Sequence, residues 1–415
     1  MKNRTGGKRS TGLQPGPPTE NSDPVGRAPA KRSAWRRIAA AGIVAAGFCV
    51  VCAVIAVNLG SSIPGTRDFI EYWSAEQQLA HRANSYDRTA VLGIERAEGF
   101  QKDRPELWYS PPLDLVLALP LGFVGAKAGL ILWTLFYFAA LSASIWLIWR
   151  LQGCQDTLLY LWGFLFPPAI VCLQAGQISI LFLLGVVLFF YFAESRPWLA
   201  GVALFPLTLK PHLFLPFGVA LILWVISRRA YGVLGGFAAA SGAGLALTFL
   251  IAPHAWSQYA QMMGTQDVLN HFVPTLSGTL QHLVNRKATW LQFVPEAAAC
   301  GWAVWYFRSR RDRWNWMDHG LVLLLVSSVC RPYGWFFDEA VLLPAVLAGV
   351  LQASQSGRSL WPIAVAGAAA LLECFRMVPM SSLLYLWTTP AWLFWYLYAT
   401  GNSKSNFVAE SVPTC

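Results

Sequence analysis

The chain has 415 residues, of which 55% are hydrophobic and 13% charged, with a formal net charge of +10. Soluble globular chains carry about 25% charged residues, so soluble classes are excluded, and apolar blocks of about 20 residues point instead to one polytopic helical membrane domain. The blocks are apolar throughout rather than alternating, which excludes an outer-membrane barrel.

Residues 1–37 hold nine basic side chains against Glu20 and Asp23, and are rich in Pro, Gly, Ser and Thr. This composition predicts a disordered basic tail on the cytoplasmic side of a membrane anchor, not a nucleic-acid-binding segment. The stretch from Ile38 to Leu59 is too long for a signal-peptide core and is expected to stay as the first span. Eight scattered cysteines, including Cys49 and Cys52 within an apolar run, give no disulfide framework or zinc pattern. No metal site, nucleotide-binding fingerprint or cofactor motif is found.

The later apolar blocks run over 128–149, 157–174, 178–194, 197–209, 211–227, 231–252, 291–307, 316–331, 337–352, 360–378 and 383–400. The 111–124 block reaches only about 21 Å as a helix, short of a roughly 30 Å hydrocarbon core, and reads as re-entrant. If it does not span, Arg150, Arg196, Arg228, Arg229, Arg308, Arg310, Arg311, Arg313, Arg358 and Lys404 all fall on the cytoplasmic side. The sequence thus predicts an all-α protein of about twelve transmembrane helices over 38–400, both termini cytoplasmic, with a short C-terminal tail over 401–415. Segments 60–127 and 253–290 are the two large external loops, bearing interfacial helices.

Polar chemistry gathers on that external face. In R-D-F-I-E-Y-W, Asp68, Glu71 and Tyr72 lie at i, i+3 and i+4, sharing one face if helical. A carboxylate among aromatics at a membrane surface suits a general base, and the same spacing also describes a plain amphipathic interfacial helix. Asn84 to Asp87 and Trp108 to Leu113 follow, the second broken by Pro111 and Pro112. Gln177 stands after a Gly turn, Lys210 and His212 where one block ends and the next begins, and Arg331 and Asp338 in C-R-P-Y-G-W-F-F-D-E. Lys210 and Arg331 suit either phosphate binding or snorkelling to headgroups. His212, His254 and His271 read first as interfacial residues.

In this order D-F-x-x-Y-W, S-Y-D, Y-x-P-P-L, G-Q, K-P and P-x-x-x-x-x-D resemble the membrane glycosyltransferases of the GT-C superfamily. The nearest similarity is to glycosyltransferase family 87, over roughly residues 38–400. The resemblance implies transfer of a sugar, mannose, from a polyprenyl-phosphate donor to a glycolipid or glycan acceptor, with inversion, at the external face of a bacterial cytoplasmic membrane. It maps the catalytic base to Asp68. Lys210 and Arg331 are then the cations for the leaving phosphate, and Tyr72, Trp73, Trp108, Gln177, His212 and Asp338 the sugar and acceptor contacts. No metal is called for, because a lipid-phosphate donor lacks the diphosphate that nucleotide-sugar enzymes neutralise. A lipid or sugar-lipid flippase, and a scaffold for envelope assembly, are the rival classes.

Overall fold

The computed structural model describes residues 64–154, 157–265, 272–376 and 378–401. The basic tail, the first span, Cys49, Cys52, His271 and Lys404 lie outside the described residues. Every regular element among the described residues is helical. The longer helices are α1 (Phe69–Ala80), α2 (Arg88–Ala97), α3 (Ala126–Leu151), α4 (Pro167–Ala175), α5 (Ile180–Phe192), α6 (Pro197–Ala203), α7 (Leu215–Arg228) and α8 (Tyr231–Ile251). They are followed by α9 (Ala255–Gly264), α10 (Leu276–Val284), α11 (Val294–Arg310), α12 (Leu321–Cys330), α13 (Leu343–Gln355), α14 (Trp361–Phe375) and α15 (Thr388–Thr400).

Among the described residues, three helical stretches are long and apolar enough to cross a membrane: α3, α8 and the run Phe336–Gln355 that ends in α13. A fourth is a pair bent by 45° over Leu158–Leu165 and Pro167–Ala175. Other expected blocks form shorter apolar helices, among them Ile180–Phe192, Pro197–Leu209 and Leu215–Arg228. Proline is the reason. Pro167, Pro197, Pro206, Pro211 and Pro216 each sit at the first or second position of a helix or 3-10 turn, where the missing N–H costs nothing but the preceding turn cannot continue. The 111–124 block forms two 3-10 turns, Pro112–Leu117 and Leu119–Phe123, rather than a spanning helix.

Large apolar side chains face outward along these helices, among them Leu132, Leu135 and Phe136 on α3 and Leu245, Phe249 and Leu250 on α8. Water would penalise such a surface and lipid does not, so the chain is a membrane protein. Where two helices approach closely, glycine makes it possible: a Cβ at Gly201 of α6 would lie 2.0 Å from the Val233 carbonyl oxygen of α8, and one at Gly236 of α8 the same distance from Trp198. The run Phe336–Gln355 is instead almost wholly buried, with 94% of its apolar window inside the protein. It forms the axis against which the site is assembled. Cys172, Cys300, Cys330 and Cys374 are free thiols.

Candidate active site

Asp68 occupies the cap position of α1 with helical backbone angles and makes no capping hydrogen bond. Asp87 is the contrast: its carboxylate accepts from the backbone N–H groups of Thr89 and Ala90 and serves α2 as an ordinary cap. Asp68 is thus left free for other work. Its Oδ2 accepts from Gln177 Nε2 at 2.8 Å, and Gln177 Oε1 accepts from the Tyr72 hydroxyl at 2.6 Å. One amide therefore ties the carboxylate to the aromatic ring one helical turn away.

Gln177 is placed by the end of α4. Gly176 has φ of 74°, the left-handed conformation that glycine adopts without penalty. The Gly176 N–H bonds to the Leu173 carbonyl and the Gln177 N–H to the Cys172 carbonyl, the paired closure of a Schellman motif. A Cβ on Gly176 would also sit 2.7 Å from the Cβ of Phe69. Trp133 Nε1 donates to the Gly176 carbonyl at 2.9 Å, and its ring stacks on Tyr72 at 5.9 Å between centroids. Trp108 meets Tyr72 edge-on at 5.2 Å.

The second half of the site comes from the 330–339 turn. Asp338 is fully buried. Its Oδ1 accepts from Ser179 at 2.6 Å and from Lys210 Nζ at 2.8 Å, while its Oδ2 accepts from the Trp335 N–H at 2.9 Å. Lys210 also lies over the Phe337 ring at 5.2 Å. Arg331 is only 3% exposed and pairs with Glu339 at 3.1 Å, while Glu339 accepts further bonds from Thr388 and Trp392. His212 packs edge-on against Tyr333, and its buried Nε2 has no partner among the described residues.

Burial pushes the Asp68 carboxyl above its ordinary range, with the Gln177 bond pulling the other way, Glu106 adding to the rise, and Lys102 and Lys210 opposing it. Glu71 is raised well above the ordinary range, first by burial and then by the neighbouring charge of Asp68. Glu71 and Lys210 also lie within electrostatic reach of each other. The i, i+3, i+4 spacing thus does bring Asp68, Glu71 and Tyr72 to one space, and Gln177, Lys210 and Asp338 close it.

The sequence profile of glycosyltransferase family 87 matches residues 108–332, just over half of the chain. The chain belongs to glycosyltransferase family 87. No curated protein and no solved structure matches it. The family 87 segment takes in Trp108, Gln177, Lys210, His212 and Arg331, while Asp68, Tyr72, Trp73 and Asp338 lie outside it, and Asp68, Tyr72 and Asp338 join the site through the hydrogen bonds above. As a family 87 member the chain is a glycosyltransferase, using a sugar donor and an acceptor.

Several expected contacts take a different form in this family 87 chain. Trp73 is 6% exposed and donates to the Val124 carbonyl, and Trp108 is 1% exposed, so both rings stand as walls behind the site. Arg331 pairs with Glu339 through Nη2, and its buried Nε has no partner among the described residues. Tyr109 and Tyr333 face the same space, since both feel the charge of Glu71, and the sequence reading assigned neither tyrosine a role in the site. The neighbouring prolines at 111 and 332 were the only signals near the two tyrosines.

Proposed function

We propose that this glycosyltransferase moves mannose from a polyprenyl-phosphate donor to a glycolipid or glycan acceptor at the external face of a bacterial cytoplasmic membrane, inverting the anomeric centre. One observation carries the reading: Asp68 is held by Gln177 through a single oxygen, its Oδ1 has no partner among the described residues, and Lys210 lies within electrostatic reach. A half-buried carboxylate with a free oxygen and a raised proton affinity is a general base poised for a hydroxyl.

In the transfer step the acceptor oxygen attacks the anomeric carbon as its proton passes to Asp68 Oδ1. The bond from that carbon to the phosphate oxygen breaks, and the phosphate leaves with the electron pair. One carboxylate suffices because the leaving group departs as an anion, which needs a cation rather than a proton. Lys210 supplies it, aimed by Asp338 and Ser179. Arg331 acts from behind the site by fixing the 330–339 turn through Glu339. Gln177, Tyr72 and the unpartnered Nε2 of His212 are the polar groups left to meet sugar hydroxyls.

The test is purified full-length protein in lipid with polyprenyl-phosphate-mannose and a panel of glycolipid acceptors, with products read by mass spectrometry. A product heavier than its acceptor by one hexose, formed only with the lipid-phosphate donor, is expected. Transfer from a nucleotide-sugar alone would overturn the donor class, and donor movement across the bilayer without any product would favour a flippase.

A further inference from the structure

Away from Asp68, the segment from Phe272 to Gln292 forms a polar cavity of about 400 Å³, lined by Gln281, His282, Arg286, Lys287, Gln292 and Pro332 among others. Its walls are built by local turn chemistry. Thr275 caps α10 by accepting from the Gly278 N–H, Gln281 Nε2 donates to the Arg286 carbonyl at 2.9 Å, and Asn285 accepts from the Lys287 N–H. These bonds bend the chain after α10 so that two consecutive basic residues line one concavity. Among the described residues no carboxylate lines it.

Gln292 is the decisive group. It is 5% exposed, it lines the cavity, and its Nε2 has no hydrogen-bond partner among the described residues. A buried donor left without an acceptor is costly, so it marks a position where an acceptor belongs. Two cations and an orphan amide donor in one cavity select an anion with several oxygens. The same segment also carries the exposed apolar side chains Leu276, Leu283, Val284, Trp290 and Phe293, next in sequence to lining residues or within two positions of them. A free anion in water has no use for such neighbours, whereas a phosphate carried on acyl chains has.

We infer that this cavity seats the phosphate headgroup of an anionic phospholipid, with its acyl chains along these apolar side chains. The site is separate from the transfer chemistry, since neither Asp68, Lys210 nor Asp338 lines it. It is joined to the active-site turn by Pro332, and by the bonds from Thr275 to the Pro332 carbonyl and from Ser277 to the Cys330 carbonyl. A lipid bound there packs against the turn that carries Arg331.

The experiment is native mass spectrometry of the full-length protein in detergent, titrated with phosphatidylglycerol and, separately, phosphatidylcholine. Wild type is expected to retain phosphatidylglycerol preferentially. Each basic residue near an anionic headgroup contributes about fivefold, so Arg286→Ala with Lys287→Ala should weaken retention about 30-fold. Gln292→Leu should weaken it about tenfold without changing net charge, and since it removes an unpaired buried donor it should not lower the unfolding temperature. Equal retention of the two lipids, or unchanged retention in the double variant, would overturn the assignment. Full retention in Gln292→Leu would reduce the effect to general charge attraction and overturn the cavity. Displacement of phosphatidylglycerol by millimolar inorganic phosphate would assign the site to free phosphate instead.

Discussion

Asp68→Asn separates the general base from everything else Asp68 does. The asparagine carbonyl can still accept from Gln177 Nε2, which now donates at 2.8 Å, so the amide bridge to Tyr72 is kept. What disappears is the capacity to take a proton, a loss of about 100-fold to 10,000-fold in turnover, or about 2.7–5.5 kcal/mol of barrier. Burial raises the folded proton affinity of Asp68 above its ordinary value. The reactive form is the carboxylate, so wild-type turnover falls as pH drops through that raised value, and the acid limb lies above the ordinary carboxylate range. The stability sign is opposite: the folded state binds this proton more tightly than the unfolded chain, so Asp68 lowers stability as pH rises through the window between the two values. Asp68→Asn removes that loss and should be at least as stable as wild type at neutral pH, which makes unfolding a poor excuse for lost activity. Glu71→Gln is the control, because Glu71 is raised well above its ordinary range and a neutral amide resembles the protonated acid it replaces. Steady-state transfer measured from pH 4 to 9, with thermal unfolding on the same samples, reads both. A stable Asp68→Asn protein that turns over near the wild-type rate refutes the reasoning, and a dead Glu71→Gln protein moves the base one turn along α1.

Lys210→Ala should lower turnover by more than tenfold while leaving acceptor binding unchanged, because it removes the cation beside the leaving phosphate; turnover kinetics with the donor varied decide it, and near-normal turnover would return Lys210 to a headgroup role. Gly176→Ala should destabilise the protein by about 1–2 kcal/mol from the left-handed backbone alone, with more from the contact at Phe69, and should depress turnover by moving Gln177; a wild-type unfolding temperature would count against the Schellman turn as the positioning device. For sidedness, a cysteine at exposed Asp103 should react with an impermeant thiol reagent in intact cells and one at exposed Asp312 should not; labelling of both or neither would reverse the external placement of the site.

The parts of the site that depend on local spacing were legible in the sequence. Asp68, Glu71 and Tyr72 share a space because a helix repeats every 3.6 residues, and Gln177 stands where it does because a glycine ends an apolar run. The parts that depend on distant partners were not. Nothing within C-R-P-Y-G-W-F-F-D-E says that Arg331 turns inward to Glu339, since that carboxylate is held in turn by Thr388 and Trp392 from another helix. Trp73 and Trp108 read as sugar platforms because an aromatic at an interface and one in a core have the same neighbours in sequence. Their burial is a product of packing with Gly129 and Tyr72. Helix lengths differ from the lengths of the apolar blocks for a simpler reason, that prolines divide several of the blocks.

The two ion pairs of the 330–339 turn differ in what they leave free, and that difference assigns their work. Asp338 and Glu339 are chain neighbours, yet one side chain meets Lys210 and the other Arg331. The Lys210 side chain keeps 16% of its surface exposed, whereas Arg331 keeps 3%. An ammonium with three protons can give one to Asp338 and direct others at a phosphate without breaking the pair. Arg331 meets Glu339 and the Trp335 carbonyl through Nη2, while its buried Nε has no partner among the described residues, and drawing the guanidinium away to a ligand would leave Glu339 buried without its cation, a change that costs about 3–5 kcal/mol. Losing activity on Arg331 substitution would therefore not by itself mark a phosphate contact. The deciding measurement is the pair of variants Arg331→Met and Arg331→Met with Glu339→Gln. If Arg331 only braces the turn, the second change removes the stranded carboxylate and restores both stability and turnover; if Arg331 touches the donor, stability returns and turnover does not.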